Sequence, residues 1–212
     1  MRLVFDLSLY LVLDPVLCAS FGMAETARAA VRGGVTMVQL RMKDATTVER
    51  ITAGQELKKG LDGTNARLIV NDDVDAAIAL RADGVHVGQS DDNPAAVRGR
   101  IGPDMLLGLS IDSLEAAHNF DPAGLDYIGA GPIFATNTKP GHAVPLGFEG
   151  LTEITALSAL PVVAIGGLKA EHVAATFEAG ADGIAVVSAI CGQTDPYQAS
   201  MALMEAIGKA KT

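Results

Sequence analysis

Residues 161–188 read Pro161-Val-Val-Ala-Ile-Gly-Gly-Leu-Lys-Ala-Glu-His-Val-Ala-Ala-Thr-Phe-Glu-Ala-Gly-Ala-Asp-Gly-Ile-Ala-Val-Val-Ser188. Two short runs rich in Val and Ile, 161–165 and 182–187, flank an Ala-rich stretch, 170–178, that carries helical spacing. The runs show little alternation, which suits strands covered on both faces, and a helix between two such strands makes the connection a parallel crossover. The same grammar extends towards the N-terminus. Apolar runs recur at 7–13, 35–40, 67–70, 83–87, 105–109 and 125–129, and helical stretches at 23–32, 48–60, 74–80, 93–100, 113–120, 148–157 and 196–209. Small-residue turns such as Arg32-Gly-Gly-Val35, Arg81-Ala-Asp-Gly-Val85 and Gly180-Ala-Asp-Gly-Ile184 lead into strands as weak internal repeats. Eight strand–helix units in 212 residues predict a (β/α)8 barrel, an α/β fold in a single domain over residues 1–212. A doubly wound open sheet is the runner-up, but no Gly-x-Gly-x-x-Gly follows the first strand.

Composition narrows the function. A formal net charge of −9 argues against broad adhesion to nucleic acid or anionic membrane. Absence of Trp and an aromatic content of 4% leave few platforms on which bases could stack. The run at 7–13 ends at Asp14-Pro15 and reads as a first strand, not a targeting segment, and no apolar stretch reaches the roughly twenty residues of a membrane helix. Two cysteines, Cys18 and Cys191, form neither a disulfide framework nor a metal cluster. The expectation is a soluble cytoplasmic protein acting on small molecules, with no nucleic-acid or membrane partner; a homo-oligomer is compatible with the sequence.

Barrel chemistry collects at the C-terminal ends of strands, so those ends form the search list. They carry Gln39, Arg41 and Lys43, then Asn71 and Asp72, Gln89 and Asp91, Ser110, Thr136, Thr138 and Lys139, Gly166 and Gly167, and Ser188. Arg41, Lys43 and Lys139 offer a planar fork and two point charges to anionic oxygen, and Thr136 and Thr138 add hydroxyl donors. Asp72 and Asp91 facing those cations suggest Mg²⁺ bridging protein and diphosphate. Each residue also has an ordinary structural reading. Asp72 could cap the helix near Val74, Asp91 could open the turn before Asn93, and Arg41 with Lys43 could be an exposed basic pair. Gln39 could be an inward structural glutamine, and His86 reads as a hydrogen-bonded core histidine. The glycine pair follows the seventh strand and Ser188 the eighth, where barrels often hold a phosphate. No Gly-x-Ser-x-Gly elbow or Cys-His pair supports covalent hydrolysis.

In order, Leu9-Tyr-Leu-Val12, Val38-Gln-Leu-Arg-Met-Lys43, Leu68-Ile-Val-Asn-Asp72, Ala82-Asp-Gly-Val-His-Val-Gly-Gln-Ser-Asp91, Gly131-Pro-Ile-Phe-Ala-Thr-Asn-Thr-Lys139, Val163-Ala-Ile-Gly-Gly167 and Gly183-Ile-Ala-Val-Val-Ser188 closely resemble the thiamine phosphate synthase family, from Leu9 to Ile190. The resemblance implies a (β/α)8 barrel that joins 4-amino-2-methyl-5-hydroxymethylpyrimidine diphosphate to 4-methyl-5-(2-phosphooxyethyl)thiazole, releasing pyrophosphate by a dissociative route. It implies that Arg41, Lys43, Asn71 and Lys139 hold the leaving diphosphate, that Asp72 and Asp91 hold Mg²⁺, and that Gln39 contacts the pyrimidine. Thr136, Thr138, Gly167, Val187 and Ser188 then surround the thiazole phosphate, with Ser110 near the reacting groups. On this resemblance the loop carrying Thr136 to Lys139 is expected to help close the mouth. Met42, Arg81 and Gly141-His-Ala-Val144 depart from the family pattern without removing a phosphate or metal group. Two alternatives remain, a thiazole tautomerase on the same scaffold, which Pro132 disfavours, and a non-catalytic sensor of phosphate ligands.

Overall fold

The computed structural model describes residues 4–89, 91–136 and 144–212. Among them eight parallel strands close into a barrel in chain order. The strands are β1 (Leu9–Leu13), β2 (Met37–Leu40), β3 (Arg67–Asn71), β4 (Gly84–Val87), β5 (Leu106–Ile111), β6 (Tyr127–Ala130), β7 (Val162–Ile165) and β8 (Gly183–Val186). Around them run α1 (Met23–Arg32), α2 (Thr47–Leu61), α3 (Val74–Leu80), α4 (Pro94–Ile101), α5 (Leu114–Asn119), α6 (Gly147–Leu157), α7 (Val173–Glu178) and α8 (Pro196–Ala210). The eight strand–helix units expected from the sequence are all present, and β1 pairs with β8 to close the ring.

Local chemistry starts most helices. Thr46 and Glu49 form a reciprocal capping box at α2, Asp73, Asn93 and Ser113 cap α3, α4 and α5, and Asp195 caps α8. Pro occupies the first helical position of α4 and α8, where its missing N–H costs nothing. The expected helix over 170–178 is divided: a 3₁₀ turn, Ala170–His172, precedes α7. Strand β5 runs two residues beyond the expected end because Ser110 and Ile111 pair with Gly129 and Ala130, and this places Ser110 inside the barrel wall.

Apolar residues fall into two sets, as strand alternation requires. One set, including Leu9, Leu11, Leu13, Val38, Leu40, Val85 and Ile184, packs outward against the helices. The other, including Tyr10, Val12, Met37, Ile69, Leu106, Tyr127 and Val163, fills the interior.

At the N-terminal ends of the strands, one device recurs four times. The residue just before an even-numbered strand accepts a hydrogen bond from the first or second amide of the preceding odd-numbered strand. Thr36 Oγ1 takes Leu9 N at 3.2 Å, and Asp83, Asp126 and Asp182 carboxylates take Leu68 N, Leu107 N and Val162 N at 2.9, 2.8 and 2.8 Å. The Ala-Asp-Gly repeats of the sequence are therefore strand clamps on the face opposite the candidate site.

Candidate active site

Strand ends and the loops after them enclose a cavity of about 370 Å³ at the C-terminal mouth. Gln39, Arg41 and Lys43 reach it from β2 and its loop, Asn71 and Asp72 from β3, Asp91 from the loop after β4, and Ser110 from β5. Thr136 enters from beyond β6, Gly167 from beyond β7, and Val187 with Ser188 from beyond β8. These sequence-selected residues thus converge from strands far apart in the chain. Thr138 and Lys139 lie outside the described residues, as does most of the loop expected to close the mouth.

Opposite charges meet at this part of the mouth. Arg41 Nη2 is buried without a hydrogen-bond partner among the described residues. Beside Arg41, Asp72 and Asp91 lie within hydrogen-bonding reach of each other, and Asp91 also accepts from Gly88 N at 2.7 Å. Burial, then the hydrogen bond and negative charge of Asp91, push Asp72 up to about 7, against the opposing pull of Arg41 and Asn71. Asp72 remains exposed as a whole residue, so solvent moderates the cost of its charge. Its backbone is left-handed, with φ 62°, and its amide is held by His86 O at 2.9 Å. Asp72 does not cap α3; that task falls to Asp73, which accepts from Ala76 N at 2.8 Å.

Two crowded carboxylates beside a guanidinium form a hard-oxygen pair suited to Mg²⁺, which commonly uses one or two protein carboxylates and completes its shell with phosphate and water. Among the described residues no group of three or more His, Cys, Asp or Glu forms a protein-built metal cage. The donor set therefore fits a cation shared with a ligand.

The opposite rim has a different character. Gly166 and Gly167 adopt φ 105° and 66°, and a side chain at Gly167 would press on Phe134 Cβ at 2.7 Å. Backbone can approach a ligand closely there. Ser188 starts no helix; residues 188–192 form turns, with Cys191 N bonded to Val187 O at 2.8 Å, and α8 begins only at Pro196. Near this turn the thiols of Cys18 and Cys191 lie 3.3 Å apart, their hydrogen bond drawing Cys18 down to about 7 and pushing Cys191 up.

Residue-by-residue sequence reading missed two contributors. Arg50 of α2 donates to Met42 O at 3.1 and 2.8 Å and to Lys43 O at 3.0 Å, and pairs with Asp73 at 3.0 Å, so it ties the loop bearing Arg41 and Lys43 to the start of α3. Tyr10 and Tyr127 meet at the barrel centre and join Gln39 and His86 in a hydrogen-bonded file that ends on Ser110. Burial pushes both phenols well above their ordinary values, so the two hydroxyls stay protonated.

A sequence model described as thiamine monophosphate synthase matches residues 9–190. The chain belongs to the thiamine monophosphate synthase family. Relatives named thiamine-phosphate synthase agree over nearly the whole length: one from Psychrobacter sp. (strain PRwf-1) is 46% identical, covering 93% of this chain and 94% of its own. Another from Azorhizobium caulinodans is 48% identical, with 94% of each chain covered. The solved structure of thiamine phosphate pyrophosphorylase from Pyrococcus furiosus superposes with a TM-score of 0.87 at 35% identity, covering 97% of this chain and 98% of that one. Family membership and the mouth of the barrel thus point to one kind of chemistry.

Proposed function

We propose that this chain is a thiamine phosphate synthase, a transferase in which residues 1–212 act as one barrel that joins the pyrimidine diphosphate to the thiazole phosphate. The observation that carries this reading is the buried Arg41 nitrogen that has no hydrogen-bond partner among the described residues and lies beside the Asp72–Asp91 pair in the cavity. A buried guanidinium N–H without an acceptor is costly, and a diphosphate oxygen supplies the missing acceptor.

Arg41, Lys43, Asn71 and Lys139 would hold the diphosphate, with the Arg41 fork fixing its orientation and the lysines spreading positive charge along it. Asp72 and Asp91 would hold Mg²⁺, which when bound supplies Lewis-acid stabilisation of the charge that develops on pyrophosphate. Thr136, Thr138, Gly167, Val187 and Ser188 would seat the thiazole phosphate. Gln39 and Ser110 would orient the pyrimidine ring. The bond between the pyrimidine methylene carbon and the diphosphate oxygen breaks, and its electron pair leaves with pyrophosphate. The aminopyrimidine ring shares the resulting positive charge, and the thiazole nitrogen lone pair then forms the new C–N bond. Arg41 and Lys43 act by stabilising the leaving group, and two anchored phosphates hold the rings in register. No protein nucleophile takes part.

The test is to mix purified protein with Mg²⁺ and both substrates and to follow thiamine phosphate and pyrophosphate together. Equimolar appearance of the two is expected. Tight binding of both substrates with neither product would select the sensor reading, and isomerisation of a thiazole phosphate alone would select the tautomerase.

A further inference from the structure

Five interior side chains form an unbroken file from one wall of the cavity to another. Gln39 Nε2 donates to Tyr10 Oη at 2.8 Å, Tyr10 Oη lies 3.0 Å from Tyr127 Oη, Tyr127 Oη lies 3.0 Å from His86 Nδ1, and His86 Nε2 lies 2.9 Å from Ser110 Oγ. The other four members border the cavity, whereas Tyr127 is fully buried and does not. Space for the file is reserved by Gly108 of β5, where a Cβ would collide with the Tyr127 ring and with His86 Nδ1.

Each hydroxyl owns one proton, which gives the file a direction. With the Gln39 amide donating to Tyr10, the arrangement that spends every hydroxyl proton inside the file sends the Tyr10 proton to Tyr127 and the Tyr127 proton to His86 Nδ1. His86 then carries its hydrogen on Nε2, facing Ser110 Oγ, and the Ser110 proton is released for a ligand. At the other end, with Gln39 Nε2 spent on Tyr10, Gln39 Oε1 is the atom left to accept from a ligand. The two ends are linked: an acceptor at Gln39 goes with a donor at Ser110. Reversing one end requires reversing every bond between them.

We propose that Tyr127, without touching substrate, fixes this polarity and thereby makes the site select a ring that presents an amine donor and a ring-nitrogen acceptor. This rests on the thiamine phosphate synthase reading, and it assigns the 4-aminopyrimidine edge, as opposed to a 4-oxo edge, to the Gln39–Ser110 side of the cavity. Tyr127 is a positioning residue. Losing its hydroxyl leaves Gln39 as the remaining acceptor in the file for the Tyr10 proton, so the amide turns and offers its NH₂ group to the ligand.

The experiment compares kcat/KM for 4-amino-2-methyl-5-hydroxymethylpyrimidine diphosphate and its 4-oxo analogue in wild type, Tyr127→Phe, Tyr10→Phe and the double variant. Wild type should prefer the amine, and Tyr127→Phe should lower the amino-to-oxo ratio at least about tenfold, chiefly through KM, because a reversed polar contact leaves the amine unpaired. Tyr10→Phe should lower the ratio as well, and adding Tyr127→Phe to it should change the ratio by less than Tyr127→Phe does alone, since the connection to Gln39 is already cut and only the Ser110 end is left to lose. An unchanged ratio in a folded Tyr127→Phe, or in Tyr10→Phe should the former not fold, overturns the inference while leaving the activity standing. A full additional loss in the double variant overturns it equally. Absence of product from the wild type with the amine overturns the functional reading and the inference with it.

Discussion

Asp72 is the residue at which backbone, charge and ligand demand meet. It holds a left-handed conformation, φ 62°, which Asp tolerates better than most residues, and this turns its carboxyl towards Asp91. Its carboxyl is raised from 3.8 to about 7 by burial first and Asp91 next, so the folded state binds a proton more tightly than the unfolded chain. The sign follows. Between about pH 4 and pH 7 the native state carries more protons, and the metal-free protein loses stability as pH rises through that window. Asp72→Asn removes the charge, so the variant should melt above metal-free wild type at pH 8 and approach it as the pH falls towards 4. Mg²⁺ with pyrophosphate should raise the melting temperature of wild type at pH 8 and leave the variant nearly unmoved. Calorimetric scans at several pH values, with and without the ligands, check both expectations. A wild type that is most stable at pH 8 without metal would contradict the sign. The sequence placed Asp72 at a strand end but left it divided between helix cap and metal ligand; Asp73 taking the cap is what separates the two.

Among the elements, the loop between β2 and α2 shows what strand-end reading finds and what it misses. Period-two spacing put Gln39, Arg41 and Lys43 on one side, and all three line the cavity. Arg50, by contrast, sits in the second turn of α2 and has no local signal that marks it. Its value comes from two carbonyls on the preceding loop and a carboxylate 23 residues away. The Asp73 partner is itself held low by Ala76 N, Thr47 and Arg50, which outweigh its partial burial. Arg50→Ala should therefore loosen the loop that aims Arg41 and Lys43 while sparing the barrel. We expect kcat/KM for the pyrimidine diphosphate to fall on the order of tenfold to a hundredfold, with KM for the thiazole phosphate changed less than about threefold. Steady-state kinetics varying each substrate in turn distinguishes this from general unfolding, which would lower the amount of active enzyme without changing either KM. The interior file escaped the sequence for the same reason as Arg50. Alternation turned His86 inward, but Tyr10 and Tyr127 are 117 residues apart, and only barrel closure brings their hydroxyls together.

At the level of the whole molecule, the barrel keeps stability and chemistry at opposite ends. Strand number, strand order and the parallel connections were legible because each strand–helix unit repeats one apolar pattern, and a repeated pattern survives errors at any single boundary. Exact ends were less legible: pairing extends β5 to Ile111, and the stretch over 170–178 divides into a 3₁₀ turn and α7. The Ala-Asp-Gly turns were visible as repeats, whereas their purpose required the register, which sets Asp83 and Asp182, and with them Asp126 of Leu125-Asp126-Tyr127, against amides at the starts of β3, β7 and β5. These clamps differ in setting. The Asp126 side chain is 6% exposed and pairs with Arg98 Nη2 at 2.6 Å, whereas Asp182 is exposed. Asp182→Ala thus removes one hydrogen bond near solvent and should cost about 1 kcal/mol. Asp126→Ala also strips a buried partner from Arg98, with a cost on the order of 3 kcal/mol. Both lie at the end of the barrel away from the cavity, so kcat and both KM values of the folded fraction should stay within about twofold of wild type. Denaturant unfolding monitored beside initial rates tests the pair. Equal destabilisation by the two substitutions would deny that burial of the Arg98–Asp126 pair matters, and a large change in KM would show that the two ends of the barrel are coupled through the strands that join them.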